Sequence, residues 1–319
     1  MTTASESRPR STDALVTGSV IRAQGLCMRY GDVEALRGVD LEVKQGEIFA
    51  FLGPNGAGKT TAVEILEGYR RRSGGDVEVL GVDPERGDPE WRGRVGVVLQ
   101  DSVPEPELSV SETLSMYAGF YDTALDVDDV LALVGLEDQA TTRNERLSGG
   151  QRRRLDFGLA LIGDPELVFL DEPTTGFDPA ARRAAWKTIA GLRDLGKTIF
   201  LTTHYLEEAE ALADRIAVIV GGRIVAEGTP SAIAGRDRAP TEIGVDIAPG
   251  TELPALPDDL ADRLDARPGH LHVCSSSPLR DLHRLCSWLI ENEIDPVAID
   301  VHQPTLEEIY LRLTEENEQ

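Results

Sequence analysis

The sequence predicts an α/β domain followed by a small α+β unit, and three observations carry that prediction. Four short runs, Ile48–Leu52, Val95–Leu99, Leu167–Leu170 and Thr198–Leu201, are almost continuously apolar, as strands covered on both faces must be. Helix-length stretches alternate with these runs from Val20 to about Gly235, the order of parallel strands joined by crossover helices. After a linker-like stretch, Arg236–Pro240, a separate pattern begins. Its strands are expected near Glu242–Ile247, Leu271–Cys274 and Val297–Val301, and its helices near Leu279–Asn292 and Thr305–Thr314. Ile216–Val220, the turn Gly221-Gly222 and Arg223–Ala226 read as a hairpin. The expected division is a flexible tail over 1–19, the α/β domain over 20–235 and an α+β domain over 236–319.

With 319 residues, 41% of them apolar, the chain can bury ordinary cores. No apolar run approaches the roughly 20 residues that cross a bilayer. The first residues hold arginines and a Ser/Thr excess without an apolar segment, which excludes a secretory signal and predicts a soluble, cytoplasmic chain. Cys27, Cys274 and Cys286 are an odd set at unrelated spacings, not a disulfide framework. The net charge is −24, and residues 241–319 carry 17 acidic against 5 basic side chains. A nucleic-acid partner is excluded on that balance, because phosphate binding needs a basic surface.

Gly53-Pro-Asn55-Gly56-Ala-Gly58-Lys59-Thr60-Thr61 matches the phosphate-cradling pattern G-x-x-x-x-G-K-[ST]. It stands between the strand ending at Leu52 and a helix, where glycine amides and a helix N-terminus both face an anion. Lys59 suits the β- and γ-phosphates, and the Thr60 hydroxyl suits Mg²⁺. Asp171 and Glu172 follow the apolar run Leu167–Leu170. Acidic pairs often simply close a strand, but beside a phosphate loop they lie where α/β sheets bind ligands. Asp171 then suits Mg²⁺, and Glu172 suits activation of the attacking water. Leu147-Ser148-Gly149-Gly150-Gln151 precedes a helix, with Ser148 a good N-cap, and forms a second anion-favouring helix start.

On these segments the chain resembles ABC transporter ATPases, whose LSGGQ signature lies between the Walker A and Walker B motifs. Here those are residues 147–151, 53–60 and 167–172. The resemblance implies further roles. Tyr30 is similar to the aromatic that stacks on adenine, Gln100 to the Q-loop glutamine at Mg²⁺, Asp178 to the D-loop aspartate and His204 to the switch histidine at the γ-phosphate. Phe177 departs from the usual leucine. The tail Gln303–Thr314 resembles that of ABC-2-type drug exporters of the daunorubicin-resistance kind.

The fold implied is a P-loop NTPase cassette with an α/β core, an antiparallel β lobe and a helical lobe bearing the signature. ATP and Mg²⁺ are the implied cofactors. Two copies, or a copy and a paralogous cassette, would pair head to tail, with Lys59 of one chain and Ser148 of the other on each ATP. The implied partner is an ABC-2-type permease, docking near Asp101–Ala140 and holding the cassette at the inner face of the membrane. Export of a drug is the resulting expectation. Export of lipid or polysaccharide, import, and a soluble non-transport ATPase are the rivals. His270, His272 and Cys274 alternate along one probable strand, with His283 and Cys286 on the next helix, so a metal site stands beside the plainer reading of a wet sheet face.

Overall fold

The computed structural model describes residues 18–98, 104–248, 250–251, 253–254, 260 and 263–317. Residues 1–17 of the expected tail, and Gln100 with its neighbours Leu99 and Asp101–Val103, lie outside the described residues, whereas Ser19, expected in the tail, opens the first strand.

Strands β1 (Ser19–Tyr30) and β2 (Val33–Lys44) pair antiparallel across the turn Gly31-Asp32. The run β3 (Ile48–Leu52), wholly buried, leads through the phosphate loop into α1 (Lys59–Leu66). Strand β4 (Gly74–Val79) then returns to β1 and completes a three-stranded sheet in the order β2-β1-β4. These strands alternate buried and exposed residues and shift register at bulges. A search for continuous apolar runs therefore passes over them, although they form the β lobe implied by the resemblance.

After α2 (Pro89–Gly93) comes β5 (Val95–Val98), followed by a helical section of α3 (Val110–Ala118), α4 (Val127–Val134) and α5 (Gly149–Leu161). The chain then alternates β6 (Leu167–Asp171), α6 (Pro179–Asp194), β7 (Thr198–Thr203), α7 (Leu206–Leu212) and the hairpin β8 (Arg215–Val220), β9 (Arg223–Gly228). The central sheet runs β5-β6-β7-β3-β8-β9, parallel except for β9. One face packs on α1 and the β lobe through Phe49, Phe51, Phe169 and Phe200. The other packs on α3 to α6 through Val168, Leu170, Ile199 and Leu201. Both faces are dry, which explains the unbroken apolar strands.

The last part holds β10 (Thr241–Ile247), β11 (Leu264–Arg267), β12 (His270–Ser275), α8 (Pro278–Glu291), β13 (Pro296–His302) and α9 (Leu306–Asn317). Its antiparallel sheet runs β11-β12-β10-β13. Leu285, Trp288 and Leu289 of α8 pack on Ile243, Val245, Leu271 and Val273. His270, His272 and Cys274 therefore face the other side of the sheet. His283 and Cys286, expected beside them, belong to the helix on the opposite face and do not join them.

Helix α9 also reaches the α/β domain: Leu306 is buried, with Tyr310 and Leu313 beside it, in one cluster with Ala50, Leu52, Ala209, Ile216 and Val218 of the central sheet and α7. The apolar stripe Leu306, Ile309, Leu313 is largely consumed within the chain.

Candidate active site

The phosphate loop hangs between β3 and α1, and its glycines are fixed by contact as well as by conformation. Gly58 is the N-cap of α1 at φ +105°, and a Cβ there would lie 2.6 Å from the carbonyl oxygen of Ala35 on β2. A Cβ on Gly53 would lie 2.4 Å from the Ile219 carbonyl oxygen on β8. The loop is thus wedged between the β lobe and the central sheet, where only backbone fits.

Lys59 is buried, unusual for a lysine, and it is satisfied by its own loop. Its Nζ donates to the carbonyls of Gly53 at 2.8 Å and Pro54 at 3.2 Å, and it lies 3.4 Å from Glu172 Oε1. Asn55, Gly56, Gly58, Lys59, Thr60 and Thr61 line one cavity with Ala35 and Glu172.

Strands β6 and β7 deliver the acidic and imidazole groups. Asp171, the last residue of β6, accepts a hydrogen bond from the Thr202 hydroxyl on β7. Glu172 then turns out of the strand at φ +45°, in the left-handed region that is rare for a side chain larger than glycine. Its amide is held by the Thr202 carbonyl at 3.2 Å and the Thr202 hydroxyl at 3.0 Å. Strain of this kind costs on the order of 1–3 kcal/mol and persists only where neighbours impose it.

The carboxylate of Glu172 sits at the centre of the cluster. Oε1 faces Lys59, while Oε2 accepts from the Thr175 hydroxyl at 3.2 Å and lies 3.2 Å from Nδ1 of His204. The His204 contact is an ion-pair distance without the alignment of a hydrogen bond. Burial pushes the Glu172 carboxyl up, but the His204 ring, the Lys59 charge and Thr175 outweigh it and hold the group below the usual glutamate range. Glu172 is therefore ionised at neutral pH and able to accept a proton.

The signature segment faces a second cavity. Ser148 caps α5, accepting from the Gln151 amide at 3.3 Å, while Gln151 Oε1 accepts from the Ser148 amide at 2.8 Å. Gly149 and Gly150 line this cavity with Arg152, Phe177, Asp178 and Glu172. Asp178 accepts from the amides of Ala180 and Ala181, each at 2.8 Å, and so starts α6. The two cavities share Glu172 alone.

Tyr30 lies outside both linings, 40% exposed at the end of β1, with the Arg70 guanidinium 5.2 Å from its ring centre. Sequence reasoning missed Thr202, which orients both acidic residues. The available signal was the pair Thr202-Thr203 closing an otherwise apolar strand, both of them buried.

Comparison with known proteins agrees with this geometry. The family model described as "ABC transporter" matches residues 36–175, from β2 through Thr175. The chain is 36% identical over 311 residues to the daunorubicin resistance ATP-binding protein DrrA2 of Streptomyces coeruleorubidus, covering 93% of this chain and 95% of that one. It is 41% identical over 246 residues to the Nod factor export ATP-binding protein I of Cupriavidus pinatubonensis, covering 75% and 74% of the two chains. Among solved structures it is similar to MJ0796, a bacterial ABC transporter cassette described as dimeric, at 25% identity and a TM-score of 0.59, over 66% of this chain and 98% of that one. No helix among the described residues is long and apolar enough to cross a membrane. The chain belongs to the ABC transporter family and is one of its ATP-binding, ATP-hydrolysing cassettes.

Proposed function

We propose that the cassette binds Mg²⁺ with ATP on the Lys59 loop and hydrolyses it with Glu172 as the base that activates water. The observation that carries this reading is the position of Glu172. It is an ionised carboxylate shared by both cavities, within contact of Lys59 and His204. The donors suit the ion: the Thr60 hydroxyl and an Asp171 carboxylate oxygen are hard oxygen ligands, the kind Mg²⁺ selects. Thr60, Asp171 and Gln100 would hold Mg²⁺, which supplies charge neutralisation between the phosphates when bound. Lys59 and the amides of Asn55 to Thr61 bind and orient the phosphates. His204 would face the γ-phosphate, and Thr202 fixes Asp171 through its carboxylate and Glu172 through its amide. Tyr30 stacks on adenine at the rim.

The site is completed by a second cassette, whose Ser148, Gly149, Gly150 and Gln151 cap the phosphates while Asp178 crosses the interface. Two separate cavities in one chain, and the dimeric relative, support this arrangement. Closure on ATP and reopening after hydrolysis then drive an ABC-2-type permease at the inner face of the membrane, exporting a drug-like cargo. The relative of daunorubicin resistance supports that cargo. The Nod factor export relative supports a cargo of the Nod factor kind instead.

Glu172→Gln tests the core of this reading. The expected result is retained ATP binding with hydrolysis lowered by roughly 10²–10⁴-fold, the value of a general base. Undiminished turnover in the purified variant sinks the assignment.

A further inference from the structure

We propose that the solvent-facing side of the C-terminal sheet binds one divalent transition-metal ion of the Zn²⁺ class through Glu242, His302 and Glu308. These residues come from three elements. Glu242 on β10 lies directly opposite His302 on the edge strand β13, and Glu308 rises from the first turn of α9. One ligand atom from each lies within 4.8 Å of the other two. Nε2 of His302 and Oε1 of Glu308 are 3.4 Å apart. That matches the edge of a tetrahedron with bonds of about 2.0 Å.

The surroundings prepare each ligand. Glu308 gives Oε2 to a capping box, accepting from the Thr305 amide at 2.7 Å, which leaves Oε1 turned to His302. Behind the imidazole, Asp300 Oδ2 lies 2.7 Å from Nδ1. This Asp300 contact is an ion pair out of line for a hydrogen bond.

Glu242 also meets His272 Nε2 at 3.3 Å and Arg312 at 3.1 Å. Arg312 is the more exposed and is the partner that an ion would displace. A competing set, Glu242 with His272 and Cys274, shares the same carboxylate. It has an exposed thiol and no capped ligand, so the first set is favoured. The ion would fasten β10 and β13 to α9 two residues beyond Leu306, the side chain that anchors this helix on the central sheet.

Nucleotide-free full-length protein titrated with Co²⁺, followed by its visible absorption, and then with Zn²⁺ in competition, tests this. One equivalent of four-coordinate Co²⁺ without a sulfur charge-transfer band is expected. His302→Gln should weaken binding by at least tenfold. Glu308→Gln keeps a capping side chain and should weaken binding as His302→Gln does. Unchanged circular dichroism and ATP binding in these variants separate loss of a ligand from loss of the fold. No saturable Co²⁺ binding, or binding indifferent to His302→Gln and Glu308→Gln, overturns the proposal. A charge-transfer band that vanishes in Cys274→Ser also overturns it, by placing the ion on the other set.

Discussion

Leu306→Ala tests whether the last helix braces the nucleotide-binding core. Leu306 is 1% exposed and sits among Ala50 and Leu52 of β3, Ala209 of α7, and Ile216 and Val218 of β8. Truncating a buried leucine costs about 2–5 kcal/mol, the larger values arising where the cavity cannot collapse. The sheet side of this cluster is rigid, because β3 is paired on both edges, whereas α9 belongs to no sheet and can settle inward. The lower half of that range applies, about 2–3 kcal/mol. Urea unfolding followed by far-ultraviolet circular dichroism reads it as a lower midpoint at unchanged slope. Leu306→Met, which conserves volume, should cost less than about 1.5 kcal/mol. A chain ending at His302 should lose more than Leu306→Ala, since Tyr310 and Leu313 leave too. Any weakening of ATP binding in a chain ending at Gly235 would then come from an unbraced β3, which carries the phosphate loop. A change under about 0.5 kcal/mol in Leu306→Ala, typical of surface sites, would refute the reasoning.

Glu67 caps α1 beside an open cleft lined by Trp91, Tyr117 and Tyr121, and burial, with Asp171 and Glu64, pushes its pKa up to about 8. Between pH 4.5 and about 8 the folded chain keeps a proton that the unfolded chain releases, so this group removes stability as pH rises through that window. Each pH unit is worth at most about 1.4 kcal/mol, and water entering the cleft reduces it. Glu67→Gln should therefore gain stability over the parent progressively from pH 5 to 8, reaching about 2 kcal/mol, and a pH-independent difference in urea unfolding would contradict this. Sharing of the site between chains predicts that mixing Lys59→Ala with Ser148→Arg, each inactive alone, restores ATPase activity through one intact site per heterodimer. Activity no higher than that of the separate variants would count against two-chain sites.

The linear order of residues settled the parts of this protein that depend on local chemistry. Continuous apolar strands announced a sheet covered on both faces. The loop Gly53–Thr60, the pair Asp171-Glu172 and the segment Leu147–Gln151 announced phosphate chemistry, because each needs particular residue types within a few positions of one another. Elements whose signal is spread across space were less legible. Strands β1, β2 and β4 are half-buried and bulged, so their periodicity is broken. Thr202 is ordinary in sequence and acts only because β7 lies beside β6. Nothing local says whether a stripe such as Leu306, Ile309, Leu313 meets its own sheet or another chain, since any apolar surface of matching shape would serve. Tertiary structure alone turned Leu306 and Leu313 toward α7, β8 and β9, set His283 and Cys286 on the far side of the sheet from His272, and brought Glu242, His302 and Glu308 together. Those contacts join residues far apart in the chain, and hydrophobic burial, which is non-directional, selects among them only when the whole core is assembled.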